Sequence, residues 1–122
     1  MSQMKIRQTR CSRAVGVALV FVLASHTSAS ADGKATYDRL CASCHGADGR
    51  GNREKAKALK IEPTLLDLGR PDGASLGRDQ LRVILLQGKD KMPAYQQKLE
   101  PAEVDAVLDY AIELAKKIRG QQ

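Results

Sequence analysis

The chain has 122 residues, with 20 Lys+Arg against 14 Asp+Glu, 43% hydrophobic and 28% charged residues. These proportions suit one globular domain and exclude a disordered chain or a multi-span membrane protein. The formal net charge of +6 would fit a nucleic-acid or membrane-surface partner, so the placement of the charges decides whether that class survives.

Residues 1–13 hold Lys5, Arg7, Arg10 and Arg13 and no acidic residue. Eleven residues of low polarity follow, Ala14 to Ala24, and then Ser25 to Ala31. A positive start, a short apolar run and a small-residue site, here Ala29-Ser30-Ala31, describe a secretory signal peptide. Residues 1–31 are therefore expected to be cleaved between Ala31 and Asp32. The apolar run is about half of the ~20 residues that a spanning helix needs, so a retained anchor is disfavoured. Without the signal, 16 basic residues face 14 acidic ones, a net charge of +2. The case for nucleic acid falls with it. The expected product is an exported periplasmic protein, residues 32–122, with no nucleic-acid partner and no stable membrane insertion.

Residues 34–44 contain no helix breaker, and Tyr37, Leu40, Cys41 and Cys44 fall on one helical face. Gly46, Gly49 and Gly51 end that helix. Arg53–Lys60 reads as a short helix with Leu59 as its one strong apolar residue. Residues 61–77, with Pro63, Gly69, Pro71, Gly73 and Gly77, read as an irregular connector. Arg78–Gln87 presents Leu81, Ile84 and Leu85 together and stops at Gly88. The last helix begins at Pro101, after Glu100 and with Glu103 in its first turn. Val104, Val107, Leu108, Ala111, Ala115 and Ile118 form its apolar stripe, and Lys116, Lys117 and Arg119 crowd its end. No stretch alternates as a strand does. The fold class is all-α. Three tyrosines, no Phe and no Trp in this segment make a thin core, so an apolar body besides the side chains is expected in the middle.

Cys41-Ala42-Ser43-Cys44-His45 matches C-x-x-C-H, the attachment signature of c-type haem. Two thiols at that spacing can form thioethers with the haem vinyl groups, and the adjacent imidazole can ligate the iron. Three other readings compete. A redox dithiol would need a βαβ setting. A zinc site needs about four ligands, and no other Cys or His remains after cleavage. A disulfide leaves His45 without a role. One covalent haem c is the expected cofactor, with its iron. For the second axial ligand Met92 is the one candidate of Met or His type, in Lys91-Met92-Pro93, where Pro93 disfavours helix.

With these residues in view, residues 33–119 resemble the class I c-type cytochromes, in particular small bacterial monohaem ones. Gly33, Tyr37 and Cys41 match the Gly-aromatic-Cys spacing of the family's first helix, and Tyr110, with Val107 one turn earlier, matches its last. The resemblance implies that these helices cross, with Gly33 allowing close approach and Tyr37 and Tyr110 packing near the crossing. It also implies that a proline carbonyl, here Pro63, accepts a hydrogen bond from the ligand His45. No Trp is present to meet a haem propionate, as in some members; Tyr95, Arg70 and Arg78 are the available substitutes.

The expected function is an exported one-electron carrier with a His/Met-ligated haem, not a catalytic enzyme. Lys89, Lys91 and Lys98 flank the Met92 loop and could steer redox partner proteins. The alternatives are a cytochrome subunit of a larger periplasmic oxidoreductase, or a haem ligand sensor or peroxidase-like protein.

Overall fold

The computed structural model describes residues 31–122; all but the last residue of the expected signal segment, 1–31, lies outside them. The helices in chain order are α1 (Gly33–Leu40), α2 (Ala42–His45), α3 (Arg53–Leu59), α4 (Pro71–Ala74), α5 (Arg78–Gln87) and α6 (Pro101–Arg119). A single 3₁₀ turn, Pro63–Leu66, stands between α3 and α4. Among the described residues there is no strand, only an isolated antiparallel bridge between Lys89 and Met92.

Local chemistry fixes the helix ends. The Asp32 carboxylate accepts from the backbone N–H of Ala35 at 3.1 Å and starts α1, and Asn52 does the same for α3 through Lys55 at 3.1 Å. Each thereby satisfies an N–H that the first turn leaves free. At α6 the Glu103 side chain accepts from the Glu100 N–H at 3.0 Å, with Pro101 as the first helical residue.

The frame is the crossing of α1 over α6. Gly33 sits against the backbone of Ala106, where a Cβ would overlap the carbonyl oxygen. The absence of a side chain is what lets the helices come so close. One turn on, the rings of Tyr37 and Tyr110 pack at 5.2 Å with a 55° tilt, a favourable aromatic geometry. Tyr37 is the most deeply buried large side chain, and with Leu85, Tyr95, Leu99, Val104, Val107 and Leu108 it forms the core. The expected stripe of α6 is buried at Val104, Val107, Leu108, Ala115 and Ile118. Outside this core, α5 is tied to α6 by Arg78–Asp109 at 2.8 Å and by Arg82–Asp105.

Two expectations need correction. The first helix does not run unbroken through 34–44: it ends at Leu40, and Cys41, at φ −112°, joins it to the separate turn α2. That bend leaves the Cys41 carbonyl to accept from the N–H of both Cys44, at 3.1 Å, and His45, at 2.9 Å. Residues 61–77 are not wholly irregular either. Pro63 and Pro71 each open one helical turn, because a proline has its φ preset for a first helical position and has no N–H to lose there. Ala56, not Leu59, is the residue that α3 buries fully.

Candidate functional site

A cavity of about 740 Å³ opens between α1, α2, the 3₁₀ turn, α5 and α6. Its wall carries Cys41, Cys44, His45 and Met92 together. Those four residues come from two segments more than forty positions apart, and the fold brings them to one space.

The α2 turn is held from three directions. The Tyr37 hydroxyl donates to the Gly46 carbonyl at 2.8 Å. The N–H of Gly51 donates to the His45 carbonyl at 2.7 Å, and that of Asn52 to the Cys44 carbonyl at 2.9 Å. The last carbonyls of this turn, which no helical partner reaches, are thereby satisfied. Gly46 (φ +79°) and Gly51 (φ +87°) adopt left-handed backbone to make this return possible, a region that L side chains avoid.

The His45 imidazole is pinned as well. Its Nδ1 lies 2.8 Å from the Leu66 carbonyl, so Nδ1–H donates and Nε2 is left as the lone-pair nitrogen. Burial, assisted by the charge of Arg70, holds the ring below the usual histidine range, although the Leu66 bond opposes the shift. The imidazole is therefore neutral near pH 7, the form that ligates a metal. The acceptor corrects one expectation: it is Leu66, not Pro63. Pro63 opens the 3₁₀ turn, whereas Leu66 closes it and carries a carbonyl without a partner inside the turn. The sequence reads this stretch as irregular, so neither the turn nor the carbonyl that faces the ring was visible there.

Cys41 and Cys44 are half-buried free thiols. Burial, with Cys44 nearby, pushes the Cys41 thiol up to about 11, as apolar surroundings do to an unpaired thiol.

Met92 reaches the cavity wall from the segment that follows α5. The Met92 N–H donates to the Lys89 carbonyl at 2.8 Å, and the Lys89 N–H donates to the Met92 carbonyl at 3.1 Å, closing a tight turn with Asp90 at φ +52°. Gly88 (φ +77°) sits against this turn, where a Cβ would lie 2.7 Å from the Met92 carbonyl oxygen. The turn is docked by Tyr95, whose N–H donates to the Leu85 carbonyl at 3.1 Å and whose hydroxyl donates to the Leu40 carbonyl at 3.0 Å. Tyr95 thus links the Met92 segment to the residue just before Cys41, a role that no sequence signal announced. Lys89 and Lys91 are exposed at the cavity rim, and the Lys98 ammonium lies 5.4 Å from the centre of the Tyr95 ring.

The family model described as "Cytochrome C oxidase, cbb3-type, subunit III" matches residues 28–110. The chain belongs to the c-type cytochromes. It is 32% identical over 89 residues to the cytochrome c6 of Microcystis aeruginosa, covering 70% of this chain and 98% of that protein. A solved structure, the KustC0563 c-type cytochrome, superposes with a TM-score of 0.57 at 22% identity, over 68% of this chain and 96% of that one. At that identity the likeness concerns the fold, which is the all-α class I cytochrome c fold.

As a c-type cytochrome the protein is an electron carrier with covalently bound haem c, not a catalytic enzyme, and it exchanges electrons with redox partners. The cavity fits that cofactor. Its volume lies in the ~300–1,000 Å³ range of small-molecule and cofactor sites, and its donors are two thiols, an imidazole with a free Nε2 and a thioether. Haem c supplies a reversible one-electron couple when bound. The chain's own residues set its ligands, its surroundings and its access. No described helix is long and apolar enough to cross a membrane.

Proposed function

We propose that Cys41 and Cys44 form the thioethers to one haem, that His45 and Met92 are its axial ligands, and that the protein shuttles single electrons as an exported, periplasmic carrier. The observation that carries this reading is the convergence of His45 and Met92 on one cavity, with the imidazole already oriented by Leu66. Two protein ligands leave the iron no open position, which favours electron transfer over oxygen or peroxide chemistry, and a thioether ligand raises the reduction potential. Export rests on residues 1–31, whose charged start, apolar run and Ala29-Ser30-Ala31 site read as a cleaved signal; the haem domain is then 32–122.

Carbon monoxide tests the ligand set. The reduced wild-type protein is expected to keep its spectrum under carbon monoxide at neutral pH. Ready formation of a carbonyl adduct would instead favour a ligand sensor.

The partners meet the rim where Lys89 and Lys91 project, with Lys98 beside Tyr95, and an acidic patch on the partner would complement them. A second reading, a subunit of a larger oxidoreductase, draws on the description of the matched family as an oxidase subunit. The alignment over 98% of a small cytochrome c6 favours the free carrier. Size-exclusion chromatography of the native protein separates the two: a carrier elutes alone, a subunit with its complex.

A further inference from the structure

The excess positive charge of residues 32–122 lies in two stretches. Residues 50–60 hold Arg50, Arg53, Lys55, Lys57 and Lys60 against one acid, Glu54, and residues 116–119 add three basic residues and no acidic one. Over the remaining positions from 32 onward, eight basic residues face thirteen acidic ones. The fold sets the two stretches side by side. The Arg50 guanidinium donates to the side chain of Gln121 at 2.8 Å, two residues beyond the end of α6. Just before it, Gly49 is pressed on Leu114 and Ile118 of α6, where a Cβ would lie 2.9 Å from either side chain. The approach to α3 and the C-terminal end of α6 therefore form one surface, whose charge the domain total of +2 conceals.

The cations of residues 50–60 are also uncommitted. Lys34, Arg39, Arg78, Arg82 and Lys116 are each in an ion pair. Among the described residues, none of the five basic side chains between 50 and 60 is, and all five are exposed. Asp48 accepts from the backbone N–H of Arg50 at 3.1 Å rather than from a guanidinium. Arg53 and Lys57 lie one helical turn apart on the same side of α3, and Lys117 is exposed at the end of α6.

Nothing apolar occupies the centre of this surface. The helix α3 buries Ala56 and turns Leu59 to the cavity. Ile118 is 2% exposed, and neither stretch contains an aromatic residue. A specific protein interface has an apolar, aromatic core and few lysines. A lipid surface with anionic headgroups asks only for cations that can reach it, each worth roughly fivefold in affinity.

We propose that the α3 stretch and the end of α6 form a face by which the protein lies reversibly on an anionic lipid surface, without entering it. The proposal draws on the export reading only for the membrane that is met, and not on the haem or its ligands. A carrier held in this way searches for its partners along the surface. Its cations are exposed and screened beyond about 8 Å at physiological ionic strength, so the hold loosens with salt.

Sedimentation with vesicles tests this, using the haem-loaded protein purified after export and two variants that each lose two charges. One is Arg53→Gln with Lys57→Gln; the other is Lys89→Gln with Lys91→Gln, on the Met92 rim. The vesicles are phosphatidylcholine alone or with about one third phosphatidylglycerol. The wild type is expected to sediment with the mixed vesicles at low salt, not with phosphatidylcholine alone, and to be released as salt is raised. The α3 pair should weaken binding about 25-fold, at roughly fivefold per charge, and the rim pair, of equal net charge, by less than fivefold. Equal loss in the two variants would reduce the effect to net charge and overturn the proposal. Wild-type sedimentation with phosphatidylcholine alone would overturn it too. So would no sedimentation with the mixed vesicles while immobilised polyglutamate retains the protein, which would make the occupant an acidic protein. Covalent haem is read separately, in the optical spectrum, and an unaltered spectrum shows that each variant is folded.

Discussion

The two walls of the cavity are built by different means. On the His45 side the ligand ring itself is fixed, because Leu66 holds Nδ1 and three hydrogen bonds from Tyr37, Gly51 and Asn52 hold the turn that carries it. On the Met92 side only the backbone is fixed, by the two bonds with Lys89 and by the docking of Tyr95. A thioether has one weak acceptor and no donor, so its orientation comes from packing alone. The comparison teaches that the imidazole is oriented by the chain's own hydrogen bond, whereas the methionine side is the wall that can yield.

The largest expected effect removes the covalent attachment itself. Replacing Cys41 and Cys44 together by Ala should abolish covalent attachment, so that acidified organic solvent extracts all the haem. Retention of haem by the extracted chain would contradict the thioether assignment.

Next come two of the glycines with left-handed backbone, Gly88 beside the Met92 turn and Gly51 beside the His45 turn. Gly88→Ala places a Cβ 2.7 Å from the Met92 carbonyl oxygen. Gly51→Ala places one 3.1 Å from the Pro63 oxygen and 3.2 Å from the Leu66 carbonyl carbon. Each should lower stability by about 1–3 kcal/mol in urea unfolding. They should part in reactivity: Gly88→Ala admits carbon monoxide, whereas Gly51→Ala excludes it and alters the potential through His45. Equal carbon monoxide binding by the two would erase the distinction between the walls.

Much of this site was legible in the sequence, and the boundary of legibility has physical causes. Cys41, Cys44, His45 and Met92, which share one cavity wall, could be singled out because the expected chemistry needs particular residue types, and few of those types occur. The crossing of α1 and α6 came only with the family resemblance that Gly33, Tyr37 and Tyr110 carry, and the missing Cβ of Gly33 is what the close approach uses. The acceptor for His45 could not be assigned correctly, since any residue has a carbonyl and only the course of the 3₁₀ turn selects Leu66 over Pro63. Tyr95 bridging to Leu40 was hidden for the same reason: its partner is a backbone oxygen 55 residues away. The shortage of aromatic residues was informative in the expected direction, because the interior it leaves is the cavity.

Smaller effects separate the two tyrosines. Tyr37→Phe and Tyr95→Phe each remove one hydrogen bond to a backbone carbonyl, at about 1 kcal/mol of stability. Only Tyr95→Phe should loosen the Met92 wall and quicken carbon monoxide binding. The smallest change in stability belongs to Lys89→Glu with Lys91→Glu, within about 0.5 kcal/mol since both side chains are exposed. Its signature is kinetic, a weaker dependence of partner electron-transfer rate on ionic strength. A rate unaffected by both the substitutions and salt would remove these lysines from the docking surface.

The central claim is that Met92 completes the coordination begun by His45. A redox titration followed by absorption spectra, comparing the wild-type protein with Met92→Ala, tests it most directly. The account predicts a fall in potential and a changed ferric spectrum in the variant, with haem still covalently bound. The same potential and spectrum in both proteins would contradict it.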